Sequence, residues 1–294
     1  MEHLVDSTNI LMWIGFFVGS CMGSFLNVVA YRVPREVSVV RPGSSCPSCK
    51  TPISWFFNLP VLGWIILKGK ASCCGSRISI RYPLVEILIG VLFAWQFHSF
   101  VTHGDLGMLI ASCVFGWMML GVVIIDFETM LIPDRFSIGG AFLGFFLSVY
   151  FPTLQGIGHP IGVTNNVGSA LSSLTGIIIG SGFIYWIGAL AGRAFGRDAL
   201  GEGDVKLLGC IGAFCGWKGA IFCIFGGAVF GCILLIPILI FQKYKIFTSE
   251  DKNQIGLGVE IPFGPYLALA ALSYFFGLKQ WVDPWFAWTG ELAF

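Results

Sequence analysis

Long apolar runs separated by short polar loops set the pattern of this chain. A spanning helix needs about 20 consecutive apolar residues. The runs predict eight helices, at 7–31, 83–102, 106–125, 136–151, 167–191, 206–217, 219–241 and 262–278. The stretch 136–192 contains no Asp, Glu, Lys or Arg, so it supplies two of these, with 152–166 as the turn between them. In the first helix Gly15, Gly19 and Gly23 recur every fourth residue, a stripe that lets another helix approach closely. The sixth helix is the shortest. It either crosses with Lys218 reaching outward or re-enters, which would leave seven spans. One polar segment, 32–82, is large enough to be an insertion, and Pro34, Pro42, Pro47, Pro52 and Pro60 keep long helices out of it. Its apolar stretch 55–67 is too short to span and belongs either at the membrane interface or under the loop.

Composition agrees. The chain is 56% hydrophobic and 11% charged, against about 25% charged in soluble domains. The expected fold is therefore an all-α polytopic membrane protein of about eight transmembrane helices, with a cysteine-containing cytoplasmic insertion between helices 1 and 2. The helical core covers 83–282. A net charge of +1 gives no reason to expect nucleic acid. The first apolar run is too long for a signal peptide and reads as a retained helix. Basic residues accumulate in cytoplasmic loops. Placing the insertion inside puts fifteen of the 17 Lys and Arg residues inside, including Arg197, Lys243, Lys245 and Lys252, and only Lys218 and Lys279 outside. Both termini then lie outside. Trp281, Trp285 and Trp288 suit an interfacial belt.

This topology, built without the acids, sets two aspartates at one depth on the inner face. Asp126 ends helix 3, and Asp204 opens helix 6 behind Gly201 and Gly203. Carboxylates at a bilayer edge are costly and point to function. A close pair cannot easily both ionise, so one can deprotonate water while the other hydrogen-bonds a scissile carbonyl. Gly201 and Gly203 would let an extended substrate approach the backbone. Lys206, two residues past Asp204, falls on another helix face and need not neutralise it. Asp134, after Pro133, is expected to cap its helix. An ion transporter using the two aspartates, or a non-enzymatic scaffold, are the rival classes. The charges crowd one face instead of the midplane, and no repeated halves are visible.

Six of the ten cysteines lie in apolar runs, where cysteine acts as a small hydrophobe. The other four, Cys46, Cys49, Cys73 and Cys74, cluster in the insertion. Cys46-x-x-Cys49 is half of a zinc site, and four clustered thiols in a reducing compartment favour structural zinc over disulfides. Glu86, one turn into helix 2, is a candidate for handling an amine or a sulfonium, or it pairs with Arg81 or Arg77. No Gly-x-Gly-x-x-Gly follows a strand, so a Rossmann-type cofactor site is unsupported.

The run Gly201-Glu202-Gly203-Asp204-Val205-Lys206 resembles the Gly-x-Gly-Asp motif of membrane aspartic proteases. Ile125-Asp126 followed by Leu131-Ile132-Pro133-Asp134 resembles the first-aspartate motif of the bacterial type IV prepilin peptidases. The runs 23–28, 46–49, 58–62 and 81–86 resemble that family too, in the same order, so the likeness covers about 12–275. The resemblance implies a bifunctional enzyme of the bacterial inner membrane. It would cut the basic leader from prepilins or type II secretion pseudopilins at the cytoplasmic face, with Asp126 and Asp204 as the dyad. It would then methylate the new amine with S-adenosylmethionine, a role that falls to the stretch from Arg32 to Glu86, with Glu86 as a candidate residue. The family has a second Cys-x-x-Cys. Here Ala71 stands in the third ligand's place, with Cys73 as the available substitute and Cys74 as the fourth. The resemblance names the partners only as prepilin or pseudopilin substrates and membrane lipid, and leaves the oligomeric state open.

Overall fold

The computed structural model describes residues 2–157, 162–196, 201–246 and 262–289. Arg197, Lys252 and the side chains of Lys243, Lys245 and Trp288 lie outside these described residues. The described chain is helical and carries no strand beyond two isolated bridges. It is a polytopic all-α membrane protein, and five of its helices are long and apolar enough to cross a bilayer. It divides into two compact units, Met1–Gly121 and Val122–Phe294.

The first unit holds α1 (Glu2–Arg32), the insertion with the short α2 (Leu62–Ile66), α3 (Arg81–His103) and most of α4 (Leu106–Thr129). The glycine stripe does what its spacing predicts. A Cβ on Gly15 would strike the Phe97 ring at 2.8 Å, one on Gly19 would meet Ile89 O at 2.6 Å, and one on Gly23 would meet Glu86 Cα at 2.7 Å. α1 and α3 are thus antiparallel and in backbone contact. Close contact of this kind replaces the hydrophobic driving force that lipid does not supply. The Trp117 indole N–H donates to Met22 O at 2.9 Å, which ties α4 to α1.

The second unit holds the end of α4, α5 (Asp134–Tyr150), α6 (Val163–Phe195), α7 (Glu202–Ile246), and α8 (Gly264–Ser273), which continues through a π turn at Tyr274–Leu278 into the short α9 (Lys279–Val282). α7 holds two helical stretches, and Gly216 between them (φ 68°, ψ −179°) is not helical. Only glycine adopts that conformation without strain. The contacts show a reversal there. Gly176 on α6 abuts both Gly212 and Gly216. One turn further along α6, Gly180 meets Leu208 O at 2.6 Å and Ala220 Cβ at 3.1 Å. The arm before Gly216 therefore runs antiparallel to α6, and the arm after it runs parallel. The predicted sixth and seventh helices are these two arms. The break expected at Lys218 sits two residues earlier, because Gly216 can take a positive φ and a lysine cannot do so without strain. Ala213 O, in the last turn before the reversal, accepts from Ser148 Oγ (3.2 Å), Gln155 Nε2 (2.9 Å) and Ser173 Oγ (3.0 Å). Those donors satisfy a carbonyl that the broken ladder leaves free.

Candidate active site and cysteine cluster

The sequence places Asp126 near a helix end, and α4 carries it in its last turn, continuing to Thr129. Met130 follows in the left-handed region (φ 53°) and closes the helix by donating to Asp126 O at 2.9 Å. Asp126 is 4% exposed. Asp204 lies in the first turn of α7 and is half-buried. The structure brings the two together. Both line one cavity of about 570 Å³ with Met130, Ile132, Gly203 and Phe263. Glu202 and Lys206 stand at the same cavity.

Gly264 supports this pair and has no counterpart in the sequence reasoning. Its backbone N–H donates to the Asp126 carboxylate. A Cβ on Gly264 would fall 2.5 Å from Asp126 Oδ2 and 2.8 Å from Ile132 Cδ1. A Cβ on Gly203 would lie 3.3 Å from Ile132 Cβ, and one on Gly201 3.5 Å from Asp204 Oδ2. Ile132 is thus wedged between two glycines from different elements, and the carboxylates occupy space that side chains would fill. The only visible signal was the run Pro262-Phe263-Gly264-Pro265, which marks a turn into a helix.

Two neighbouring charges are settled. Lys206 Nζ pairs with Asp134 Oδ1 at 2.9 Å. Asp134 is not a cap: Pro133 holds the N-cap position of α5, without a side-chain cap bond. Asp134 sits in the first turn, where the helix dipole favours an acid.

The cysteine cluster is built from two turns of the same geometry. In the first, Cys46 N donates to Thr51 O (2.9 Å), Lys50 N donates to Cys46 O (2.9 Å), and Lys50 is left-handed (φ 61°). In the second, Ala71 N donates to Ser76 O (2.8 Å), Gly75 N donates to Ala71 O (2.8 Å), and Gly75 is left-handed (φ 69°). Superposing the turns sets Ala71 on Cys46, Cys74 on Cys49, and Cys73 on Ser48. The third thiol therefore enters from a different rung of its turn. It still arrives: Cys46 and Cys74 Sγ are 3.7 Å apart, Cys49 and Cys73 Sγ are 3.2 Å apart, and all four sulfurs lie within 4.8 Å of one another. Four sulfurs held roughly 2.3 Å from a zinc ion would be about 3.8 Å apart, so the donor set fits that ion. The backbone N–H groups of Cys49 and Ser48 hold the Cys46 thiol down at about 6, while the hydrogen bond with Cys49 pushes Cys73 up to about 12. The thiols compete for protons, and a bound cation would relieve that competition.

Glu86 is 7% exposed on α3, and its Oε2 accepts from the Val61 backbone N–H at 2.7 Å. Val61 has φ 62°, a strained value for a β-branched residue. On the facing helix Asn27 donates to Tyr82 O, but its Oδ1 has no hydrogen-bond partner among the described residues.

Comparison with known proteins agrees with this geometry. The model of the bacterial peptidase A24 N-terminal domain matches residues 17–100, and the model of the type IV leader peptidase family matches residues 113–236. A prepilin leader peptidase/N-methyltransferase of Dichelobacter nodosus is 32% identical, over 90% of this chain and 92% of its own. One from Pseudomonas putida is 31% identical, over 86% of each chain. One from Myxococcus xanthus is 33% identical over 75% of this chain but only 62% of its own length. No solved structure matches. With two carboxylates in one cavity, a four-thiol insertion and likeness along nearly its whole length, the chain belongs to the prepilin leader peptidase/N-methyltransferase family and is an enzyme of that class.

Proposed function

We propose that this protein is a membrane-embedded aspartic endopeptidase of the bacterial inner membrane. It removes the leader of type IV prepilins or pseudopilins at the cytoplasmic face, then methylates the new N-terminal amine using S-adenosylmethionine. The observation that carries the first half is the shared cavity of Asp126 and Asp204. A dyad holding one proton between its members supplies both functions that amide hydrolysis needs. The charged member takes a proton from the attacking water, and the protonated member donates to the scissile carbonyl. The Gly264 N–H fixes the orientation of Asp126. The glycines around the pair leave room for an extended backbone.

The second half belongs to the first unit. S-adenosylmethionine would supply an electrophilic methyl group. The buried Glu86 carboxylate and the unpartnered Asn27 Oδ1 are acceptors, and acceptor chemistry suits a sulfonium or a protonated amine. Zinc, on Cys46, Cys49, Cys73 and Cys74, would pin the insertion without catalysing, since four thiolates leave no open position. Detergent-purified protein mixed with a prepilin-like peptide tests the proposal. Mass spectrometry should show leader loss followed by one methyl group, and no leader loss in Asp126→Asn or Asp204→Asn. Full cleavage by Asp204→Asn would sink it.

A further inference from the structure

We infer that the segment Trp55–Ile66 is a membrane-surface anchor whose partner is the headgroup layer of an anionic bilayer. The inward positions of α2 are taken by Gly63, packed against Phe57 O, and by Trp64, whose indole N–H donates to Ile78 O at 3.2 Å. Leu62, Ile65 and Ile66 are left outward, at 54%, 57% and 49% exposure. Trp55 (78%) and Phe56 (45%), in the preceding turn Trp55–Asn58, are exposed as well. Exposed apolar side chains gathered on a polar loop call for a partner.

Two observations identify that partner. The first is depth. The Val61 N–H bonds Glu86, which lies five residues into the spanning helix α3, about 7.5 Å from its start. α2 therefore begins alongside the first turns of a membrane-crossing helix, at the level of the interface. The second is charge. From 37 to 85 the chain has no Asp or Glu but carries Arg41, Lys50, Lys68, Lys70, Arg77 and Arg81. Lys68 and Lys70, directly after α2, are exposed. An apolar face at interfacial depth flanked by exposed lysines is the pattern of a helix lying on anionic lipid.

The test is fluorine NMR of the full-length protein carrying fluorotryptophan in nanodiscs, with the Trp55 resonance assigned by its loss in Trp55→Phe. In nanodiscs containing phosphatidylglycerol, a nitroxide near the headgroup end of a lipid chain should abolish that resonance. A water-soluble nitroxide should leave it. The loss should weaken in phosphatidylcholine alone, and the difference between lipids should shrink in Lys68→Gln/Lys70→Gln. Loss to the water-soluble nitroxide overturns the anchor. Retention under both nitroxides, showing cover by protein such as a second copy, overturns it too. Equal loss in both lipids overturns the choice of an anionic surface.

Discussion

The two units of this molecule hold their functional groups by opposite means. In Val122–Phe294 the carboxylates stand on helix ends, and precision comes from what is missing: glycines at 176, 180, 212 and 264 allow backbones and carboxylates to approach where any Cβ would collide. In Met1–Gly121 the thiols stand on turns, and precision comes from left-handed residues at 50 and 75 and from paired backbone bonds. The first arrangement tolerates almost no added volume. The second tolerates a thiol entering from another rung, as Cys73 does.

The strongest way to break this comparison is at the dyad. Asp126→Asn and Asp204→Asn should each lower cleavage by about 10³-fold or more, the scale of general acid–base catalysis. Both should still methylate a pre-cleaved peptide, read by tritiated methyl incorporation. If methylation vanishes with cleavage while the fold survives, the units share one site. Next comes Gly264→Ala, whose Cβ would meet Asp126 Oδ2 at 2.5 Å. Relieving that clash must shift the carboxylate, and a misplacement of about 1 Å costs on the order of 10²-fold. Cleavage should fall by that much while methylation stays unchanged. Gly201→Ala, at 3.5 Å from Asp204, should cost far less. Glu86→Gln keeps the shape of the first unit and removes its buried charge. Methyl transfer should fall about 10-fold, as expected when a hydrogen bond to a charged group is weakened, with cleavage intact.

The smallest effect sharpens the comparison most. Cys73→Ser should weaken metal retention against a chelator, and Ala71→Cys in that background should restore it, because position 71 superposes on Cys46. Elemental analysis should give about one zinc per wild-type chain. Wild-type protein that is metal-free and active would remove zinc from the account.

Much of this was legible in advance, for a physical reason. A bilayer punishes charge, so every acid or run of apolar residues is a positional statement. That is why Asp126 and Asp204 could be placed from the apolar runs and the distribution of Lys and Arg, while the glycine stripe at 15, 19 and 23 was legible from its spacing. The hidden features depend on contacts between distant segments. Gly264 carries no charge and reads as one more turn residue, yet it touches Asp126 across 138 positions. Asp134 reads as a cap until Lys206, 72 residues away, is seen to hold it. The break at Gly216 was misplaced by two residues because hydropathy sees Lys218 and is blind to φ.

Gly216 also governs the parity of the chain. Without the reversal, α7 would be one rod of 45 residues, about 68 Å long and more than twice the hydrocarbon thickness. A crossing hands the chain to the other side of the membrane, so if the arm before Gly216 is a crossing, losing the reversal exchanges the sides of everything that follows. Gly264 would then emerge on the far side from Asp126, and no local repair could restore its hydrogen bond.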